Sequence, residues 1–431
     1  MSKLQELINK LCPNGVEFKP IWSLTTWDKK FKGVDRKMQP NVISYPYVLA
    51  NVFDDIEETN GDVKLLTTGI GGAERWTTEE KAGANLCEGE IIAIPWGGTP
   101  NVKYYNGKFV TADNRIATSN DTTVLHNKFL YYWLNNNIDL IAKTYRGAGI
   151  QHPSMLDVLN IMIPVPPIEV QEEIVRILDS FSDYAAELQA ELQARKQQYE
   201  YYRNLLLTFN PSAYGCGTDD EQKDGVTTWG GHNYKIEWKK MGEICNRICS
   251  GGTPTTSNKS FYNGSIPWLR TQEVNWSDVY DTEIKISEEA VKKSSAKLIP
   301  SNCVIIAMYG ATAAKVCINR IPLTTNQACC NLEINPQLAS YKYVYYWLCN
   351  SYEKLKSMGE GSQNNINGMK IKQYPNPIPP LELQEKIVAI LDRFETLVND
   401  LTNGLPAEIA AVKDQYEYYR NKLLTFRKLT A

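Results

Sequence analysis

Histidine is nearly missing from this chain, with three in 431 residues (His126, His152 and His232). Ten cysteines are present, but no two form a Cys-x-x-Cys pair. Without that spacing, and with so few imidazoles, no structural zinc site is expected and no metal is assigned. Cys245, Cys249, Cys303, Cys317, Cys329 and Cys330 lie in apolar, strand-like runs, where thiols act as small hydrophobes. No apolar run reaches the roughly 18 residues of a membrane span. The opening MSKLQELINKLCPNG also lacks the apolar core of a signal peptide, so a cytoplasmic protein is expected. An excess of positive charge is absent too. The formal net charge of −3 argues against a surface uniformly coated for polyanions, while leaving room for local basic patches.

Catalytic signatures are equally lacking. There is no Gly-x-x-x-x-Gly-Lys-Ser/Thr phosphate loop and no Asn/Asp-Pro-Pro-Tyr/Phe tetrapeptide of amino-methyltransferases; Pro166-Pro167 follows Val165. No nuclease-like group of carboxylates with a lysine stands out. The expectation is a chain with no catalytic residues and no cofactor of its own.

What the chain does contain is a duplication. Pro166-Pro167-Ile168-Glu169-Val170-Gln171, leading to Ile174 and Leu178-Asp179, returns 213 residues later as Pro379-Pro380-Leu381-Glu382-Leu383-Gln384, leading to Ile387 and Leu391-Asp392. Gln198-Tyr199-Glu200-Tyr201-Tyr202-Arg203-Asn204 recurs identically at 415–421, now 217 residues on, so four residues were inserted between the motifs. Tyr131-Tyr132-Trp133-Leu134 and Tyr345-Tyr346-Trp347-Leu348 are a fainter echo. Strand-like apolar runs (Glu90 to Trp96, Cys303 to Tyr309) mixed with short helical patterns and Gly/Pro turns predict a mixed α/β domain in each half. The boundaries read from this pattern are a first domain over 1–165, a helix over 166–209, a linker over 210–232, a second domain over 233–378 and a second helix over 379–426.

Both helices carry a three-four apolar stripe, the signature of a coiled-coil seam. The first runs through Ile174, Leu178, Phe181, Leu188, Leu192, Tyr199 and Tyr202, the second through Ile387, Leu391, Phe394, Tyr416 and Tyr419. Gly404 and Pro406 predict a break and restart where the four-residue insertion disturbs the second stripe. In the first helix, Glu187-Leu188-Gln189-Ala190 is repeated at once as Glu191-Leu192-Gln193-Ala194.

The duplicated Pro-Pro-x-x-x-Gln…Leu-Asp motif, closed each time by Gln-Tyr-x-Tyr-Tyr-Arg-Asn, resembles the two conserved regions of the specificity (S) subunits of type I restriction-modification systems. The resemblance implies an α/β (α+β) multidomain fold with internal pseudo-two-fold symmetry. Two target-recognition domains would be joined by two long antiparallel coiled-coil-like helices. It further implies that each domain reads one half of a bipartite site in double-stranded DNA. Two methyltransferase (M) subunits would dock on the helices, with restriction (R) subunits joining through them. S-adenosylmethionine, ATP and Mg would then belong to the partners only. Tyr201, Arg203, Tyr418 and Arg420 join the seam residues as candidates for the helix or partner interface. The tandem Glu-Leu-Gln-Ala unit would set the spacer between half-sites.

Phosphates are met by Lys and Arg, and base edges by Arg, Lys, amides and hydroxyls on loops. In the first domain those criteria select Lys29, Lys30, Lys32, Arg36, Lys37, Arg75, Thr99, Lys103, Tyr105, Arg146, Gln151 and His152. In the second they select Thr253, Lys259, Arg270, Thr271, Gln272, Tyr309, Thr312, Lys315, Gln363, Asn364 and Asn365. Trp96 and Trp268, flanked by apolar residues, are expected in the core. The alternative function is a helical scaffold that bridges proteins without reading DNA.

Overall fold

The computed structural model describes residues 3–209, 225–360, 365–400 and 402–429. Its contacts divide into two compact units, one comprising Met1–Gln189 with Glu408–Ala431 and the other Ala190–Ala407. Five helices carry the repeated motifs: α1 (Asn127–Asn136), α2 (Ile168–Leu207), α3 (Tyr341–Asn350), α4 (Leu381–Asn399) and α5 (Leu405–Leu423). None of the described helices is long and apolar enough to cross a membrane.

The first unit is built on a six-stranded sheet in the order Thr25–Trp27, Asn114–Ser119, Cys87–Pro95, Lys103–Thr111, Val63–Leu66, Trp76–Thr77. The strand Cys87–Pro95 ends in an uninterrupted apolar run because both of its faces are covered. Ile92 and Ile94 enter a core shared with α1 and the start of α2, while Ile91 and Ala93 enter a second cluster with Phe109 and Ile116. The second unit repeats this logic in a five-stranded sheet ordered Cys245–Ser250, Cys329–Ile334, Val304–Ala307, Val316–Asn319, Asp278–Val279. Val304 and Ile306 pack with α3 and α4 residues, and Ile305 and Ala307 with Cys303, Cys317 and Cys329. The cysteines among the described residues are free thiols, and burial pushes those of Cys245, Cys303 and Cys330 up to about 12.

The expected linker is structured over its described part. Gly225–Trp229 and His232–Lys240 form an antiparallel hairpin, and the second of these strands also pairs with Pro375–Ile378. Its turn is Gly230-Gly231 at φ +58° and +80°, a two-residue connection that requires left-handed backbone at both positions. Residues 210–224 of that linker lie outside the described residues.

The repeated motif has a structural reason in each unit. Two prolines fix φ where the first helical turn has no N–H partner to lose. Gln171 is then wholly buried: its Oε1 accepts from the His126 amide at 2.9 Å, and its Nε2 donates to the carbonyls of Val124 and Pro166 at 2.8 and 2.7 Å. Gln384 does the same with the Ser340 amide at 2.8 Å and the Leu338 and Pro379 carbonyls at 3.3 and 2.7 Å. One side chain thus staples the start of a long helix to the loop that opens α1 or α3. Two turns later, Asp179 takes Tyr132 Oη and Lys128 Nζ of α1, and Asp392 takes Tyr346 Oη and Lys342 Nζ of α3.

The first half of α2 packs antiparallel to α5, because Tyr184 reaches Glu408 at 2.6 Å while Phe181 stacks on Tyr419. Ile174 and Leu178 also belong to the core of the first domain, so the seam and the domain share these turns. In the second unit the later half of α2 meets α4, with Tyr202 stacked on Phe394. The two stacks are the same repeat pair seen twice, each at 5.6 Å and 25°. α4 and α5 are separate helices, as the insertion predicts. Asp400 Oδ1 accepts from the Thr402 and Asn403 amides at the break, and a Cβ on Gly404 would come within 2.4 Å of the Thr396 carbonyl. Leu405, one residue before Pro406, opens the new helix.

Candidate nucleic-acid interface

The candidate cations divide sharply once their neighbours are known. Arg75 donates to Asp54 at 2.6 Å and to Glu57 at 2.7 Å, Arg146 to Asp157 at 2.5 Å, and Arg270 pairs with Glu273 and Glu283. Lys103 turns its Nζ onto the Thr67 carbonyl, and burial pulls its pKa down to about 8. Lys315 donates to Asn275 at 2.7 Å and lies over the Trp276 ring. Each of these would have to release a partner before meeting a phosphate.

The loop following Trp27 is different. Lys30, Lys32, Arg36 and Lys37 are exposed and have no carboxylate partner among the described residues, whereas Lys29 leans on Tyr47 with Asp28 nearby. The loop is nevertheless shaped by its own buried groups. Gln39 Oε1 accepts from the Phe31 amide at 2.8 Å and its Nε2 donates to the Lys29 carbonyl at 3.0 Å. Phe31 packs edge-on to Trp27, and Asp35 caps the turn Arg36–Met38. Lys30, Lys32 and Arg36 line a cleft of about 340 Å³ beside it. Unneutralised cations on a pinned loop give it a local excess of positive charge that is in place before any anionic group arrives.

A second group of candidates converges at the end of the sheet. His152 places Nδ1 2.7 Å from the Trp96 carbonyl; a carbonyl only accepts, so Nδ1 carries the proton. The Gln151 carbonyl accepts from the Gly98 amide at 3.1 Å, which joins the Tyr145–Arg146 and His152–Pro153 hairpin to the Trp96-Gly97-Gly98-Thr99 turn. Asn101 Nδ2 donates to the Thr68 and Thr99 carbonyls, tying in a third loop. Trp96 is half-buried between His152 and the Arg115 guanidinium, 4.4 Å from its ring, and Trp268 is buried as expected. Tyr105 sits apart on the sheet, edge-on to Phe109.

In the second unit Thr253 Oγ1 donates to Gln327, Thr312 Oγ1 donates to the Thr271 carbonyl, and Lys259 and Gln272 are exposed. Tyr309 is partly exposed before the Gly310–Thr312 turn, and Asn365 bridges to Glu360. Gln363 and Asn364 lie outside the described residues. Among the described residues no three His, Cys, Asp or Glu side chains are grouped to hold a metal ion.

On the helices, Tyr201 and Tyr418 are 63% and 61% exposed, while their neighbours Tyr202 and Tyr419 stack in the seams. Arg203 covers Tyr199 and Arg420 covers Tyr416, both at 5.5 Å.

Residues 50–195 and 234–411 match the family described as the type I restriction modification DNA specificity domain. The chain is 36% identical over 328 residues to the specificity subunit of the type I restriction enzyme EcoR124I/EcoR124II of Escherichia coli, covering 73% of this chain and 74% of that one. It is 30% identical over 364 residues to a putative type I restriction enzyme specificity subunit of Haemophilus influenzae, covering 79% and 83%. Its fold resembles the crystal structure of a type I restriction-modification S subunit from M. genitalium, with a TM-score of 0.55 at 16% identity over 99% of both chains.

Proposed function

The chain belongs to the type I restriction-modification DNA specificity family, and from that premise we propose that each of its two recognition domains reads one half of a bipartite site in duplex DNA. The basic loop of the first domain is the observation that carries this reading beyond family membership. Its four unpaired cations would bind backbone phosphate and set register, while the Trp96–Thr99 turn and the hairpin carrying Gln151 and His152 would meet base edges. The chain supplies no catalytic group. Adenine methylation with S-adenosylmethionine would belong to two M subunits, and ATP- and Mg-dependent cleavage to R subunits joined through them.

Docking of the M subunits is assigned to the repeated helical surface around Tyr201 and Tyr418. Replacing both by serine should weaken assembly with M on gel filtration while the unbound chain keeps its unfolding transition. Unchanged assembly would reject the assignment.

The spacer is assigned to α2. The division between the two compact units falls between Gln189 and Ala190, inside the tandem Glu-Leu-Gln-Ala repeat of a helix that runs unbroken to Leu207. One added unit lengthens the helix by about 6 Å, against about 3.4 Å per base pair. The half-sites should then re-register by one or two base pairs. The test is the motif methylated by a variant with one unit inserted: both half-sites kept, with the number of unspecified bases changed. An active variant with the original spacer would refute the ruler.

A further inference from the structure

Among the large apolar side chains on the surface of the first unit, two stand at the tips of glycine-flanked loops: Ile150 at 72% exposure and Ile70 at 65%. They share one rim. The Ile150 loop is fastened to the 96–99 turn by the Gly98–Gln151 hydrogen bond and by His152 on the Trp96 carbonyl. The loop bearing Ile70 is fastened to that turn through Asn101 and to the neighbouring strand through Lys103. Gly147, at φ +134°, lets the chain turn toward the tip. A Cβ on Gly97 would lie 3.0 Å from Ile150 Cγ2 and 3.0 Å from His152 Cε1, so that glycine makes room for both side chains.

Ile150 is thus held out to solvent at the tip of a loop tied down at Gly98 and at the Trp96 carbonyl, where a bound molecule can reach it. The groups around it indicate the occupant. Gln151 and His152 adjoin it in sequence, and Thr99 and Arg146 stand on the turn and hairpin it joins. All four carry hydrogen-bonding groups of the kinds that read base edges in the major groove. Of the features displayed there, the C5-methyl of thymine is the one that takes an aliphatic contact. We propose that Ile150 is a specificity-determining residue of the first domain, contacting the C5-methyl of a thymine in that domain's half-site. The proposal rests on the reading of the first domain as a DNA reader and adds to it a residue and a base feature.

The test uses the chain assembled with its M subunits and a duplex carrying the motif methylated in an expressing host. Each thymine of that motif is replaced singly by deoxyuridine, which keeps the pairing and removes only the methyl group. The assembled wild type should bind about fourfold more weakly at one position of the first half-site, the effect of one buried methyl. Ile150→Ser should bind the unmodified duplex comparably weakly, lose sensitivity to that same replacement and relax base choice there in its methylation pattern. Ile150→Val should retain the sensitivity. The proposal is overturned if the variant's motif and deoxyuridine profile match the wild type's, or if Ile150→Ser weakens all duplexes equally while the profile stays. The half-site reading survives either result, since its own test is exchange of a whole recognition domain, which refutes it by changing both halves of the motif or neither.

Discussion

Replacing Gln171 by methionine keeps the volume of the side chain and removes every hydrogen bond it makes. The His126 amide and the Val124 and Pro166 carbonyls then lose their partner inside a core where Gln171 itself is wholly buried. Each orphaned group costs about 1 kcal/mol or more, so the first unit should lose roughly 3 kcal/mol. That is a substantial part of the 5–15 kcal/mol by which domains are stable. At about 2–4 °C per kcal/mol for a domain of this size, its unfolding midpoint should fall by roughly 6–12 °C. Hydrogen exchange gives the more local readout, because the His126 amide should lose protection while amides of the second unit keep theirs. Gln384→Met should reproduce the effect at Ser340 in the second unit. A midpoint shift below about 2 °C with His126 still protected would show that the motif glutamine is not the staple described here.

Four further outcomes are expected from the geometry. Lys30→Ala with Lys32→Ala should weaken DNA binding by the assembled complex uniformly across sequences and reduce the salt slope by about 0.9 per lost phosphate contact, whereas Arg75→Ala should leave that slope unchanged; filter binding between 50 and 200 mM salt separates the two. Glu173 is held down to about 2 by hydrogen bonds from Arg176 and then Lys3, and a carboxyl depressed in the folded state adds stability above its unfolded value near 4.5 that is lost as pH falls toward 2. Glu173→Gln should therefore flatten the acid limb of the first unit's stability profile, a change that urea midpoints between pH 2 and 6 would detect. Glu395 shows the opposite sign: burial raises its pKa, so Glu395→Gln should stabilise the second unit more at pH 8 than at pH 5 in the same assay. Phe181→Ala and Phe394→Ala should each lose a stacked pair worth about 0.5–1.5 kcal/mol beyond the area it buries, and the two losses, which break different ring pairs, should add within about 0.5 kcal/mol in urea unfolding.

The duplication was legible in residue order alone, and so were the seams, since repeated aromatic positions at three-four spacing leave one face for Phe181, Tyr202, Phe394 and Tyr419 to share. The buried cysteines and the helix break at Gly404 could likewise be read locally. The role of the motif glutamine could not, because its partners at Val124 and His126 lie more than forty residues away in sequence. The division of the cations was hidden for the same reason: Arg75 meets Asp54 and Glu57, and Arg270 meets Glu283, only after the strands have paired. The Gly230-Gly231 hairpin was legible in principle as a two-residue turn, but the glycine and acidic content around it read as linker. Ile150 and Ile70 carry no such signal in the sequence, because base edges are met mostly by polar side chains and an aliphatic residue points to a surface role only through its exposure.

The central claim is that two separate domains read two separate half-sites. Its most direct test is sequencing of methylated DNA from a host expressing the M subunit with a chain in which residues 233–375 have been exchanged for those of a relative with a different target. One half of the methylated motif should change to the donor's sequence while the other half and the spacer stay as they were. A change in both halves, or in neither while the complex still methylates, would contradict the claim.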